Sequence, residues 1–190
     1  MDTRVILKKG KERLIKKGNH WIFSGAIDRK PQSEDGEILD VYDFGGNYIG
    51  YAYFSNSGSI AGRMLAWDNT PVEAKLRELI AKAIALRDSF LDKSVTNAYR
   101  IINGEGDAIP GLTVDKYADV LVLQASTAGI DRLKSLIIEI LVEAVSPRMI
   151  YERSDMNSKE GDSITGVLHS EHFENTEVDY GANSNETKNS

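Results

Sequence analysis

The chain has 190 residues, no cysteine, 41% hydrophobic and 27% charged residues, and a formal net charge of −6. That length permits one large or two small domains whose cores need no staples, and the composition is ordinary for a globular protein. The missing cysteine excludes disulfides, thiolate metal sites and a cysteine nucleophile. No run of about 18 apolar residues offers a membrane span, and the basic N-terminus lacks the apolar segment of a secretory signal, so a cytoplasmic protein is expected.

Residues 3–7 predict a short strand. Residues 8–17 predict a short basic helix, with Leu14 and Ile15 on its apolar side and Gly18 as the C-cap. Charge is concentrated here: residues 1–30 balance at +6 and residues 151–190 at −6. A local basic patch can bind where the total charge repels. Arg4, Lys8, Lys9, Lys11, Arg13, Lys16 and Lys17 are followed at once by His20, Trp21 and Phe23. Such a run is either a solvated helical face or a phosphate-contacting one. Basic side chains attract phosphate without reading sequence, and neighbouring aromatics can stack on unpaired bases. Density favours the phosphate-contacting face; Phe23 is assigned to the core.

Residues 25–66 predict a small barrel of short strands with glycine turns. Strands are expected over 36–42, 48–54 and 59–67, with a hairpin turn over 43–47 and a loop over 55–58. Residues 70–91 predict a helix bridging two domains. Thr70-Pro-Val-Glu73 reads as a capping box with Pro71 at the first helical position. Val72, Leu76, Leu79, Ile80, Ala83, Ile84 and Leu91 follow helical spacing, and the charges opposite them are assigned to solvent.

Residues 99–123 predict a strand, a glycine-punctuated loop and a hairpin. Gly104-x-Gly106 starts like a dinucleotide fingerprint. The third glycine is misplaced, Pro110 follows, and a strand comes next instead of a helix, so a tight loop between sheet strands is the better reading. Residues 128–145 predict a second helix with an apolar stripe of Ile130, Leu133, Leu136, Ile137, Ile140, Leu141 and Ala144, ended by Ser146-Pro147. Strands are expected over 149–154 and 166–169. Glu152 and Asp155 are assigned structural roles rather than acid/base work. His20, His169 and His172 show no metal-ligand spacing. Residues 171–190 are polar and aperiodic, and disorder is expected there.

Three motifs then stand in order: Trp21-Ile-Phe-Ser-Gly-Ala26; Tyr99-Arg-x-x-Asn-Gly-Glu105 with Pro110-Gly-Leu-x-Val-Asp-x-Tyr117; and Ile150-Tyr-Glu-Arg-Ser-Asp155. Together they resemble the ribosomal RNA large-subunit methyltransferase I family over roughly residues 4–161. That family usually has a proline before the tryptophan, where this chain has His20. The resemblance implies S-adenosylmethionine-dependent methylation of cytosine carbon 5. It also implies an N-terminal PUA RNA-binding domain, a strand-strand-helix-strand-strand middle domain and a C-terminal Rossmann-like methyltransferase domain.

The expected fold class is therefore α+β. A PUA-like small β-barrel is placed at 1–69, a bridging helix at 70–97, the middle α+β domain at 98–170 and a disordered tail at 171–190, with the Rossmann-like domain absent. The family chemistry needs a nucleophile to add at the base's carbon 6, normally a cysteine thiolate, and this chain has none. The expectation is an RNA-binding, substrate-recognition portion of a methyltransferase-like protein, truncated before the catalytic domain. It would have no catalytic residue, metal or cofactor of its own, S-adenosylmethionine belonging to the full-length family. Lys9, Lys11, Arg13, Lys16 and Lys17 are the candidate phosphate contacts, with His20, Trp21 and Arg63 beside them. Structured RNA, ribosomal RNA above all, is the expected partner, and no membrane is. The alternative is a protein-interaction or dimerisation module using sheet edges and the acidic C-terminal region, a homodimer being its simplest form. A third reading has the chain supply substrate recognition to a separate methyltransferase subunit.

Overall fold

The computed structural model describes residues 3–154 and 164–170. Asp155, His172 and the expected tail at 171–190 lie outside the described residues.

The chain opens with β1 (Arg4–Leu7), a single helical turn α1 (Glu12–Ile15), β2 (Trp21–Phe23) and β3 (Ile27–Arg29). β4 (Ile38–Tyr42), β5 (Tyr48–Phe54) and β6 (Ile60–Ala66) follow. These strands form one sheet in the order β2-β6-β5-β4-β1-β3. Its outermost strands, β2 and β3, are joined only by the 3-10 turn Ser24–Ala26. A flat sheet would hold those edges roughly 24 Å apart, at about 4.8 Å per strand. The short connection reaches no more than about 14 Å even when extended. The sheet must therefore curl, and it does so into a half-barrel around Val5, Leu7, Ile15, Ile22, Leu39, Val41, Ile49, Ala52, Phe54 and Met64. Gly62 is part of this packing: a Cβ there would stand 2.6 Å from the Phe54 ring.

α2 (Val72–Phe90) leads into a second sheet of β7 (Ala98–Asn103), β8 (Leu112–Tyr117), β9 (Val120–Ala125), β10 (Met149–Ser154) and β11 (Ile164–Ser170), with α3 (Ala128–Val145) between β9 and β10. The strand order is β11-β10-β9-β8-β7. β9 and β10 pair in parallel, which no hairpin can connect, so α3 serves as the crossover. β8-β9-α3-β10-β11 is the strand-strand-helix-strand-strand unit, and β7 extends its sheet at one edge. Gly104–Asp107 forms a 3-10 turn between β7 and β8, the tight loop that the misplaced third glycine implied.

The two sheets share one core. Tyr51, Tyr53, Leu65 and Ala66 from the half-barrel pack with Leu76, Ile80 and Ala83 of α2, Ile130, Ile137 and Leu141 of α3, and Ile102, Leu112, Leu121 and Ile150 of the second sheet. β5 is thus buried on both faces: Ala52 and Phe54 point into the half-barrel, Tyr51 and Tyr53 away from it.

Several expectations need correction. The basic helix expected over 8–17 shrinks to Glu12–Ile15, and Leu14 is exposed. Gly10 at φ 85° and Gly18 at φ 91° bracket it in left-handed backbone, which a helix cannot absorb. The capping box at Thr70 does not form. Pro71 occupies the cap position with extended ψ, and Asp68 instead accepts the Thr70 backbone N–H at 2.9 Å. α2 is a core element, and its charges are not all solvated: Arg87 grips Asp107 through two hydrogen bonds, and Lys75 is nearly buried between Asp68 and Glu78. Ala144 is exposed although the stripe included it. Among the described residues, no helix is long and apolar enough to cross a membrane.

Candidate nucleic-acid interface

The basic segment leaves the half-barrel as a loop pinned at several points. Lys8 N–H donates to the Ala26 carbonyl, and Ile15 is buried. The Trp67 indole N–H donates to the Ile15 carbonyl at 2.6 Å. Lys16 Nζ reaches Asp43 Oδ2 at 2.6 Å. Asp43 also receives the Gly45 and Asn47 backbone N–H groups in the β4–β5 turn. The Lys16 ammonium and the Asn47 donors together hold the Asp43 carboxyl far below the usual carboxylate range.

These anchors sort the predicted contacts. Lys9, Lys11, Arg13 and Lys17 are exposed, and their side chains make no hydrogen bond or ion pair to a described residue. Lys16 is about half exposed, but its ammonium is engaged by Asp43. His20 is a fastener: its Nδ1 lies 2.8 Å from the Met64 carbonyl. A carbonyl only accepts, so Nδ1 carries the proton. The Met64 N–H returns the bond to the His20 carbonyl, and the His20 ring stands edge-on to Trp67 with centroids 4.8 Å apart.

Trp21 and Phe23 flank Ile22 on β2. Ile22 is fully buried, whereas Trp21 is 42% and Phe23 44% exposed. The assignment of Phe23 to the core is therefore corrected: on a strand, neighbours alternate faces, and only Ile22 points inward. A three-residue strand is too short to declare that alternation in sequence. Trp21 donates its indole N–H to Glu105 Oε1 at 2.9 Å, joining the first motif to the second. Arg63 stands directly opposite Trp21 on β6 and opposite Tyr53 on β5. It is half-buried, and its side chain makes no hydrogen bond or ion pair to a described residue. Tyr53 donates to the Pro110 carbonyl, and burial pushes its phenol far up. The predicted residues thus divide into a basic loop, the fastener His20, and the pair Trp21 and Arg63 facing each other across β2 and β6.

Sequence reasoning passed over Phe44 and Tyr48, which are exposed at the hairpin that Lys16 grips. The pattern Asp-Phe-Gly-Gly-Asn carried a turn signal, and an apolar ring at a turn tip is a signal of its own. Among the described residues, no group of acidic or histidine side chains could hold a metal ion. Glu152 is buried, accepts the Ser154 hydroxyl at 2.7 Å and receives Lys134 at 3.0 Å, a structural network. The loop at 104–111 does not fit S-adenosylmethionine. It runs into a strand, a Cβ on Gly111 would stand 2.7 Å from Thr127, and Glu105 is committed to Trp21.

Residues 5–67 match the family model of a PUA-like domain. Over 178 residues the chain is 35% identical to the ribosomal RNA large subunit methyltransferase I of Aliivibrio fischeri strain MJ11, covering 90% of this chain and 45% of that protein. The protein of the same description from Vibrio cholerae is 34% identical over 176 residues, covering 90% and 44%. Among solved structures, a candidate SAM-dependent methyltransferase from Streptococcus mutans superposes with a TM-score of 0.74 at 18% identity, over 90% of this chain and 44% of its own. The chain spans less than half the length of these relatives. It matches the N-terminal part of these ribosomal RNA large subunit methyltransferase I proteins, with a PUA-like domain at residues 5–67.

Proposed function

We propose that this chain is an RNA-binding, substrate-recognition module of an rRNA methyltransferase-like protein, with structured ribosomal RNA as its partner. The observation that carries the reading is the loop of a PUA-like domain on which Lys9, Lys11, Arg13 and Lys17 are exposed, their side chains without partners among the described residues. Unneutralised cations on a rigid base are the electrostatic footprint of phosphate binding, and they act locally although the whole chain carries −6. The nearby Lys16 shapes the loop through Asp43 rather than serving the phosphates first. S-adenosylmethionine, and methylation of cytosine carbon 5, belong in this reading to the full-length relatives. One of the matched structures is described as complexed with SAH, and this chain covers 43% of it.

The test is fluorescence anisotropy against a structured rRNA fragment across a salt series. Log-linear weakening is expected, with a slope of about −0.7 to −0.9 for each phosphate contact. Lys9→Glu with Lys17→Glu should lower affinity and flatten the slope. Binding unaffected by that double reversal would sink the reading. No binding even at low salt would move the assignment to a protein-interaction module.

A further inference from the structure

The row Trp21–Arg63–Tyr53 crosses a face that the basic loop leaves unexplained, and its middle residue, Arg63, lines a cavity. Directly opposed strand residues share a face, and this face turns toward the second sheet. Tyr53 closes the inner end against Pro110 and Gly129. Trp21 and Phe23 stand exposed on the outer strand of the row, beside the cavity rather than in its lining, their rings edge-to-face with centroids 6.4 Å apart. Arg63 lies between, on the wall of a cavity of about 580 Å³ that Ser55, Ser57, Ser59 and Thr127 also line. Small-molecule sites typically measure roughly 300–1,000 Å³. The backbone ties Phe23 to the cavity wall: it pairs with Ile60, which lines the cavity, and the next residue's N–H donates to the Ser59 carbonyl at 2.9 Å.

Each feature has a physical cost that a ligand would relieve. Two large rings at a sheet edge leave apolar surface in water. A half-buried guanidinium without an anion is partly desolvated with nothing in return, and its planar fork matches phosphate oxygens in pairs. Among the described residues no carboxylate makes an ion pair with Arg63, and the two nearby ones are engaged elsewhere. Glu105 Oε1 takes the Trp21 indole N–H, and Asp35 Oδ1, on the cavity wall, takes the Asn56 backbone N–H at 2.8 Å. The serine hydroxyls supply donors and acceptors suited to a ribose or a base edge.

We propose that this groove holds one unpaired nucleotide of the RNA, its base stacked on one ring of the Trp21–Phe23 pair with the other ring against its edge, and its phosphate on Arg63. The inference rests on the RNA-binding reading and adds to it a preference for single-stranded RNA beside a structured region. The basic loop then supplies general attraction, and the groove selects a nucleotide free of its duplex.

Two labelled hairpins test it with the full chain, one blunt and one carrying a six-nucleotide single-stranded extension, compared by anisotropy at fixed salt. The extended RNA should bind at least about fivefold more tightly, the lower end of what stacking one base contributes. Trp21→Ala, Phe23→Ala and Arg63→Gln should each shrink that preference while binding to the blunt hairpin persists. Lys9→Glu should instead weaken both RNAs alike. Equal wild-type affinity for the two hairpins would overturn the groove and leave the basic loop standing. A preference that survives Trp21→Ala and Arg63→Gln would overturn it as well. Failure to bind either RNA would overturn the RNA-binding reading itself. Because the wild-type comparison needs no variant, loss of folding in one substitution cannot rescue the proposal.

Discussion

Asp43 decides the shape of the basic loop with a single carboxylate. It joins Lys16 to the β4–β5 turn, and its folded carboxyl is held well below the ordinary value by those donors. Its contribution is therefore complete above the unfolded value of about 3.9 and is lost as pH falls through the lowered folded value. Urea melts should show Asp43→Asn less stable than wild type at pH 7, with the gap closing as the pH drops below about 4. A gap that stays constant down to pH 2 would show that the charge is not what stabilises the turn. Arg87 and Asp107 make a second residue-scale device, with side chains only 11% and 5% exposed. Asp107 also accepts the Asn103 backbone N–H at 2.6 Å. Removing one partner of a buried pair leaves an uncompensated charge, so Asp107→Ala should cost about 3–5 kcal/mol in denaturant melts. Arg87→Met on top of it should add much less than its single-variant cost, because the two share one interaction.

Among the elements, α3 presses directly against the half-barrel. Gly129 lies in its first turn, and a Cβ there would sit 2.2 Å from the Tyr53 ring carbons. Alanine would gain about 1 kcal/mol of helix propensity, but the clash is with the base of a buried ring rather than a flexible tip. Overpacking of that kind costs about 1–3 kcal/mol or more, so Gly129→Ala should lower stability on balance. Gly25→Ala is the control, since its Cβ would meet nothing within 4 Å and its backbone is ordinary. A thermal midpoint for Gly129→Ala at or above that of the control would show that the two units are not pressed together here. α2 shows the same priority of packing over local signals: Leu76, Ile80 and Ala83 are buried although its cap makes no side-chain hydrogen bond.

For the whole molecule, the shared core predicts cooperativity. Tyr51, Tyr53, Leu65 and Ala66 belong to one sheet by hydrogen bonding and to the other by packing. Calorimetry should therefore give one unfolding transition, not two. Tyr53→Phe should lower its midpoint, because the buried Pro110 carbonyl loses its donor at a cost of about 1–3 kcal/mol. Two resolved transitions in the wild type would mean that the seam is too weak to couple the units.

The strands expected between 36 and 67 and between 99 and 123, the helix over 128–145 and the order of the α+β unit were legible in the sequence. Each has either a period long enough to count or a turn residue whose backbone demands announce it, as Gly46 does at φ 81°. The exposed cations Lys9, Lys11, Arg13 and Lys17 were legible too, since charge density needs no fold to be seen. The tertiary structure alone decided the rest. Sequence could not show that Lys16 is claimed by Asp43, twenty-seven positions away, or that Phe23 faces outward beside Trp21. Nor could it place Arg63, Ser59 and Thr127 on one cavity wall. The physical reason is range: periodicity and turn chemistry act over a few residues, whereas an ion pair, a sheet face and a cavity wall depend on which distant segments the core brings together.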